Sequence, residues 1–545
     1  MFTNFDIAPY MLLTYFVVVP ILVAVLLYLF HLNRSARVVA VLVQASLTAA
    51  AYWLFTMTRQ GEVFLSVGNF HSILGIYLRA DLLSAVFILL TTLTFLIAAI
   101  YSFNSDHGRL FWFLMFIWQG ALIGIFLTLD LFNIFVLVEV ATIVVVVLIM
   151  YNRENRNMYD GMIYFLINVV VIQLYMFGMG YIYRLAGTMD MQRAGEVIAA
   201  SDPSYSMLPY AALMTFIALK CALVPLFGWL PKAHGSPAAP AAVSAILSGV
   251  HIKSGVYMFI RFQEMFEPVA SSNFFLALGV ITAIVGVVLA IAQTDIKLIL
   301  AYSTVSQVGL IFAGLSISQE YTYGGYSYSF LGGMYHAVNH AVFKGALFLS
   351  AGTISKLYGT RDVFKIRGVL KEYPVVGAAT LMAILGIMGA PFFNGSISKY
   401  FMVSGASSFI NGVMIFMSLG TIIAFIKYST ILFGKADTQG KRYEVDGLQE
   451  VAILFMGVLC FITGIFGVWT IEFLFDTRVT IDFWGYVEKA AIFFASVGVG
   501  YLIYKYYVNT SEFLKRIKHF DLGLRGMVVS IGLVFAAVLI AVGVL

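Results

Sequence analysis

The feature that most limits this chain is a recurrence of apolar stretches about twenty residues long. The first is "YMLLTYFVVVPILVAVLLYLF" (Tyr10 to Phe30), and the last is centred near residue 535. A helix that crosses a bilayer needs roughly 20 consecutive apolar residues. Sixteen stretches qualify, centred near residues 20, 48, 91, 120, 141, 172, 220, 250, 284, 307, 340, 390, 420, 461, 498 and 535. They are numbered spans one to sixteen. Hydrophobic residues make up 61% of the chain and charged residues 11%, against about 25% charged in soluble domains. No soluble interior holds that much apolar surface, so the solvent must be lipid. The fold class expected is an all-α polytopic membrane protein with about 14–16 transmembrane helices. Span one has no basic segment before it and exceeds a signal-peptide core, so it reads as a retained helix. A prokaryotic cytoplasmic membrane is the expected location.

The basic residues report topology before anything else, so a net charge of +5 is no argument for nucleic-acid binding. Of 32 lysines and arginines, twenty fall in the odd-numbered loops and seven in the even-numbered ones. That bias supports sixteen spans, with the odd loops cytoplasmic and both termini on the opposite side. The remaining five lie inside spans, and all are lysines: Lys220, Lys253, Lys344, Lys399 and Lys427. Arginine stays protonated in nearly any protein setting, whereas a buried lysine can release its proton. A set of lysines without arginine suits groups that change charge. A charge at mid-membrane costs at least about 2.5–3.5 kcal/mol, so partners are expected.

Glu139, in "DLFNIFVLVEVATIVVVVLIM", is the acid deep in span five, and it is paired here with Lys220 of span seven. A static ion pair pinning the two spans is the alternative. Span eleven reads "GGMYHAVNHAVFKGALFLSAGTI", with His336, His340 and Lys344 spaced i, i+4, i+8. At about 1.5 Å rise per residue they form a polar ladder roughly 12 Å long on one helix face. Histidine titrates near neutral pH, so such a ladder suits proton transfer through intervening water. Histidines four apart also suit a metal, but no third ligand accompanies them and metal binding is not expected. Span eight contributes His251 and Lys253 among small residues that permit close packing, with Lys253 favoured as the interior group. The two cysteines, Cys221 and Cys460, form no CxxC pair and show no metal spacing. A disulfide framework, a zinc site and a cysteine-ligated iron–sulfur cluster are therefore not expected in the chain.

Two spans that carry lysines also carry prolines. "FIALKCALVPLFGWLPKAH" holds Lys220, Pro225 and Pro231, and "ILGIMGAPFFNGSISKYFMVSG" holds Pro391 and Lys399. A mid-helix proline frees carbonyls and opens the span. Irregular backbone at membrane depth is tolerated where it is buried or lines a wet cavity. Pro225 and Pro391 thus mark expected helix breaks in spans seven and twelve. Each is the fourth of a set of five, counting from spans four and nine, and paired interruptions of this kind point to an inverted-repeat transporter. The expected organisation is 1–105 for three N-terminal spans, 106–265 for a first repeat (spans four to eight), 266–436 for a second (nine to thirteen), and 437–545 for C-terminal spans. Residues 506–526 suit a short amphipathic surface helix.

Four stretches, taken with Glu139, resemble a known family: "KCALVPLFGWLPKAHGSPAAPAAVSAILSGVHIKSGVY", "QTDIKLILAYSTVSQVGLIFAG", "HAVNHAVFKGALFLSAGTI" and "GAPFFNGSISKY". The family is the antiporter-like subunits shared by respiratory complex I, Mrp-type cation/proton antiporters and membrane-bound hydrogenase complexes. The resemblance covers about residues 80–435. It implies a fourteen-helix core with two inverted five-helix repeats and broken helices seven and twelve. It implies Glu139 and Lys220 as the pair that drives proton movement, and Lys253, His336, His340 and Lys344 as a central relay. Lys399 is implied as the terminal lysine. The family's "LPDAH" reads "LPKAH" here, with Lys232 in a loop on the side where protons would enter. The family's "SHMG" reads "SQVG", with Gln307 replacing a histidine in span ten.

The function expected is a proton-translocating, antiporter-like subunit of a multisubunit energy-converting complex of the hydrogenase or complex I kind. The alternative is a subunit of a Mrp-type Na+/H+ antiporter without a redox partner. The chain has no nucleotide loop and no redox ligand set, so no cofactor is expected in it. Partners expected are other membrane subunits, a peripheral redox arm with iron–sulfur clusters, protons, Na+ in the antiporter case, and lipid. A membrane anchor or quinone-binding subunit is a rival class that needs no lysine ladder. A scaffold whose ion pairs only fix packing is another.

Overall fold

A computed structural model describes residues 9–30, 34–67, 75–235, 239–269, 271–317, 327–404, 406–435, 444–508 and 510–543. Parts of the motifs and loops quoted above, residues 68–74, 236–238 and 436–443 with Lys441 and Arg442, lie outside these.

Among the described residues, thirteen helices are long and apolar enough to cross a membrane. They are α1 (Pro9–Leu29), α2 (Arg34–Thr58), α3 (Leu82–Ser102), α4 (Arg109–Leu127), α5 (Leu131–Ile149), α6 (Asn155–Ala186), α8 (Ala241–Met265), α9 (Ser272–Ala292), α10 (Ile296–Ser316), α13 (Ser408–Leu432), α14 (Gly447–Ile465), α15 (Phe483–Val508) and α16 (Leu524–Gly543). The positions of spans seven, eleven and twelve hold α7a (Ser204–Lys220) with α7b (Trp229–Gly235), α11 (Tyr328–Tyr358), and α12a (Pro374–Met388) with α12b (Asn394–Met402). The polytopic helical reading therefore holds. A small addition is an antiparallel hairpin between β1 (Val63–Ser66) and β2 (Tyr77–Ala80) on an even loop.

Aspartates set many of the helix starts. Asp81 accepts from Ser84 N at 2.9 Å, Asp130 from Asn133 N at 2.7 Å, and Asp295 from Lys297 N at 2.8 Å. Each satisfies an amide that the first turn leaves unpaired, with its charge at the positive end of the helix dipole. This is how α4 and α5 become separate helices with only Thr128 to Asp130 between them.

Contacts between loops agree with the alternation of sides. On even loops, Arg59 pairs with Asp476 at 2.5 Å. On odd loops, Arg361 pairs with Asp295 at 2.8 Å, and Asn104 donates to Asp446 at 3.1 Å. A single missed span would have put such partners on opposite faces.

The interior belongs to α8 and α10, whose most apolar windows are 100% and 94% buried, against 6% for α15. The long α11 packs with them and is buried along most of its length. Arg261, counted from the sequence among the seven even-loop residues, lies inside α8 and is buried, so the basic residues within the spans are not lysines alone. It pairs with Asp81 at 2.5 Å. Lys232 also lies in a helix, α7b, rather than in a loop. Of the surface segment expected at 506–526, the first residues belong to α15 and the last to α16, and a separate short helix forms over Glu512–Ile517.

Candidate functional site

The helical path breaks at two places. After Lys220 the chain leaves helix until Leu226, and Pro225 sits in that gap. After Met388 it leaves helix until Asn394, and Pro391 sits in that gap. Ala222 (φ 53) and Phe392 (φ 69), one in each gap, hold left-handed backbone. A non-glycine residue there costs of order 1–3 kcal/mol and persists only where the surroundings enforce it. Pro231 is the third residue of α7b, in its first turn, where proline is tolerated.

At the first break, Lys220 is the last residue of α7a and is buried. Its Nζ donates to Asn168 Oδ1 at 2.6 Å and to Thr142 Oγ1 at 2.9 Å. Glu139 stands near the middle of α5, within electrostatic reach of Lys220. It forms no ion pair with Lys220 within 4.0 Å, and its Oε1 is buried without a hydrogen-bond partner. Tyr164 lies beside Thr142 and meets His251 Nε2 at 3.4 Å, while Trp118 Nε1 donates to His251 Nδ1 at 3.2 Å. His251 is therefore a neighbour of the Lys220 cluster, and it points away from Lys253.

Residues Leu247–His251 of α8 form a π-turn. Turns of this kind loosen the carbonyl ladder and recur at functional sites. Just beyond, Lys253 Nζ donates back to Ser248 O at 2.7 Å. The same ammonium makes a short contact with His340 Nδ1 across the α8–α11 interface. His340 Nε2 has no hydrogen-bond partner among the described residues. One turn earlier on α11, His336 Nε2 donates to Gln307 Oε1 at 2.9 Å, and Ser398 Oγ donates to His336 Nδ1 at 2.8 Å. This tautomer follows from the Gln307 amide, whose nitrogen donates to Thr421 at 3.3 Å. One turn later, Lys344 Nζ donates to Ser303 Oγ at 2.5 Å and to Leu300 O at 2.7 Å. Lys253, His336, His340 and Lys344 are each 0% exposed.

At the second break, Lys399 follows Ser398 on α12b and is half-buried. Its Nζ donates to Met388 O at 3.1 Å and Ile387 O at 3.2 Å, the carbonyls that the break leaves open at the end of α12a. A cavity of about 90 Å³ lies beside it, lined by Gly389, Ser396, Asn411, Tyr486 and Lys489 among others. Close packing of the two halves depends on Gly395, where a Cβ would lie 2.0 Å from Gly386 O.

The structure thus brings Lys253, His340, His336, Ser398 and Lys399 into one polar line from α8 to α12b, with Lys344 one turn away. It does not join Lys220 to Lys253 by a hydrogen bond. Lys427, the fifth span lysine, caps α9 by donating to Gln293 O at 2.5 Å and to Ala290 O at 3.3 Å. Sequence reasoning missed Asn168, Thr142, Ser303 and Ser398, because buried polar residues of ordinary type give no pattern until their lysine or histidine is placed. It also missed His234 on α7b. That ring is 0% exposed, has no hydrogen-bond partner on either nitrogen among the described residues, and stacks on Phe348 at 4.6 Å. Its signal was present in "LPKAH", a histidine within an apolar span.

Comparison with known proteins agrees with the geometry. Residues 128–425 match the family model described as NADH:quinone oxidoreductase/Mrp antiporter, TM. A Na(+)/H(+) antiporter subunit of Alkalihalophilus pseudofirmus is 29% identical over 425 residues, covering 75% of this chain and 84% of that protein. Hydrogenase-4 component B of Escherichia coli is 28% identical over 434 residues, covering 72% of this chain and 62% of that protein. In the solved structure of the Mrp complex from a Dietzia species, one chain superimposes with a TM-score of 0.78 at 22% identity. The match covers 89% of this chain and 99% of that one. The chain is a multi-pass membrane protein that belongs to the NADH:quinone oxidoreductase/Mrp antiporter membrane-subunit family, an antiporter-like subunit of the Mrp, complex I and hydrogenase type of complex.

Proposed function

We propose that this chain conducts protons along the buried line of lysines and histidines, as one module of a multisubunit complex. The observation that carries the reading is the Lys253–His340 contact, which links α8 to α11 and through His336 and Ser398 to α12b. Among the described residues, buried polar atoms without hydrogen-bond partners lie on helices that carry this machinery: Glu139 Oε1 on α5, His340 Nε2 and Asn339 Oδ1 on α11, and both side-chain polar atoms of Asn394 on α12b. Native proteins satisfy such atoms with ordered water, and water between them completes a proton path.

In this mechanism Glu139 and Lys220 act as a switch. When Glu139 approaches, Lys220 keeps its proton; when it withdraws, Lys220 is left among the neutral Thr142 and Asn168 and gives the proton up. The proton passes to Lys253, then His340 and His336, and leaves from Lys399 by the adjoining cavity. Lys344 holds a second protonation site on the α11 ladder. We assign the repeats to 106–265 and 266–436, with the breaks at Pro225 and Pro391 in corresponding places.

Two sources of energy fit. One is a redox arm with iron–sulfur clusters, as expected for a hydrogenase or complex I kind of assembly. The other is a cation gradient, in a Mrp-type Na+/H+ antiporter without a redox partner. The Na(+)/H(+) antiporter relative from Alkalihalophilus pseudofirmus supports the second reading at least as well as the first. Proteins that co-purify with the chain, with or without iron–sulfur clusters, separate the two. The test of conduction is proton translocation by the intact complex in sealed vesicles, wild type against Lys220→Ala at equal assembly. Loss of translocation is expected. Full translocation returns Lys220 to a packing role.

A further inference from the structure

The helix α7b stands between a surface cavity and the relay. On its inner side His234 stacks on Phe348, one turn beyond Lys344 on α11. On its outer side Lys232 borders a cavity of about 400 Å³ that opens on the odd-loop face, with Arg156, Asp160, Tyr302 and Arg361 on its walls. The far wall comes from the C-terminal segment, residues 518–522, which lies outside the region matched by the family model.

This segment, with the start of α16, grips α7b and the 3-10 turn before it (Leu226–Gly228) at three points. Lys232 Nζ donates to Asp521 Oδ2 at 2.6 Å, with the lysine side chain 7% and the aspartate 57% exposed. The Phe520 ring stacks on Phe227 at 6.4 Å. Leu522 and Met527 close on Gly228, where a Cβ would meet them at 3.1 and 3.0 Å. The segment is itself anchored, since Gln293 donates to Lys518 O at 3.0 Å. The lysine in "LPKAH" thus has a matching acid within the same chain. An acid at position 232 would face Asp521 with like charge.

A seven-residue helix entered through a single 3-10 turn (Leu226–Gly228) after a non-helical gap has little stability of its own, so its position depends on what holds it. We propose that Asp521 is a positioning residue: through Lys232 it latches α7b over the path between the odd-loop cavity and His234, and so controls proton access to the relay. This rests on the relay reading above. Opening the latch moves α7b away from Phe348 and admits water to His234.

The test measures passive proton leak through the intact complex in sealed vesicles, with no driving reaction. It is paired with hydrogen–deuterium exchange of peptides covering 226–235. Asp521→Asn is expected to raise the leak about fivefold, the population change that loss of such a pair gives. It should also speed exchange in those peptides. Lys232→Gln, which breaks the pair from the other partner, is expected to do the same. The double exchange Lys232→Asp with Asp521→Lys restores the wild-type leak, which a role in bulk packing would not. Adding Lys344→Ala to Asp521→Asn suppresses the leak if it runs through the relay. An unchanged leak in both single variants overturns the latch and leaves the relay reading to its own test with Lys220→Ala. A raised leak that Lys344→Ala does not lower overturns the latch as a gate to the relay.

Discussion

Lys220 donates to Asn168 Oδ1 at 2.6 Å, while Glu139 stands in α5 with Oε1 unpartnered. The lysine is therefore held by a neutral amide, and the acid does not pair with it within 4.0 Å. Asn168→Ala removes a charged-group hydrogen bond worth about 1.5–3 kcal/mol. Translocation is expected to fall about tenfold at equal assembly. If Asn168 and Glu139 serve one switch, the double variant with Glu139→Gln falls little further than the worse single variant. Independent, multiplying losses in vesicle assays would separate the two residues.

Lys399 has one observed role and one proposed role, and substitution can separate them. As a cap it donates to the Met388 and Ile387 carbonyls; as a relay member it must release a proton. Arginine keeps the cap but not the release. Lys399→Arg is expected to assemble and melt like wild type, yet translocate at least about tenfold more slowly, the effect of ~1.4 kcal/mol on a barrier. Near-normal pumping by this variant would confine Lys399 to capping.

Gly395 permits the contact between α12a and α12b. Its substitution by alanine places a methyl 2.0 Å from Gly386 O, against backbone that cannot rotate away. Overpacking of this kind costs about 1–3 kcal/mol. Gly395→Ala should lower the thermal midpoint of the purified protein. Gly412→Ala, with open space around its Cβ position inside α13, should hold or raise it, since alanine favours helix over glycine.

Asp81 anchors the even-loop face through Arg261 at 2.5 Å and Arg79 at 3.0 Å. Burial pushes its carboxyl upward, but Arg261, the Ser84 amide and Arg79 together outweigh burial and hold it below the ordinary carboxylate value of 3.8. A depressed folded-state value contributes stability above the unfolded value, and that stability is lost only as pH falls through the folded one. Between pH 7 and pH 5 this site should therefore not change the thermal midpoint. Asp81→Asn leaves the buried Arg261 with Glu264, 3.3 Å away, as its remaining acid and should cost about 1.5–3 kcal/mol at either pH. A wild-type midpoint that drops between those pH values by the amount Asp81→Asn removes would contradict this.

Much of the architecture was legible in the sequence because a bilayer imposes a length scale. Apolar runs of span length, separated by aspartates able to cap the next helix, can only be helices crossing oil, and α4 and α5 split at Asp130 for that reason. The lysines inside spans were visible too, since charge in an apolar run has no other reading. The partners of those lysines were not. Asn168 and Lys220 are 52 residues apart, and Lys253 and His340 are 87 apart. Nothing local in the chain records those distances.

The sequence by itself determined a helical membrane protein, its alternation of sides and the lysines and histidines placed inside its spans. Apolar length and charge are additive local properties, and lipid reads them directly. Only the tertiary structure decided that Lys220 rests on Asn168 rather than on Glu139, that Lys427 caps α9, and that Asp521 reaches Lys232. Hydrogen bonds and ion pairs depend on ångström-scale placement of side chains, which packing of distant helices alone supplies.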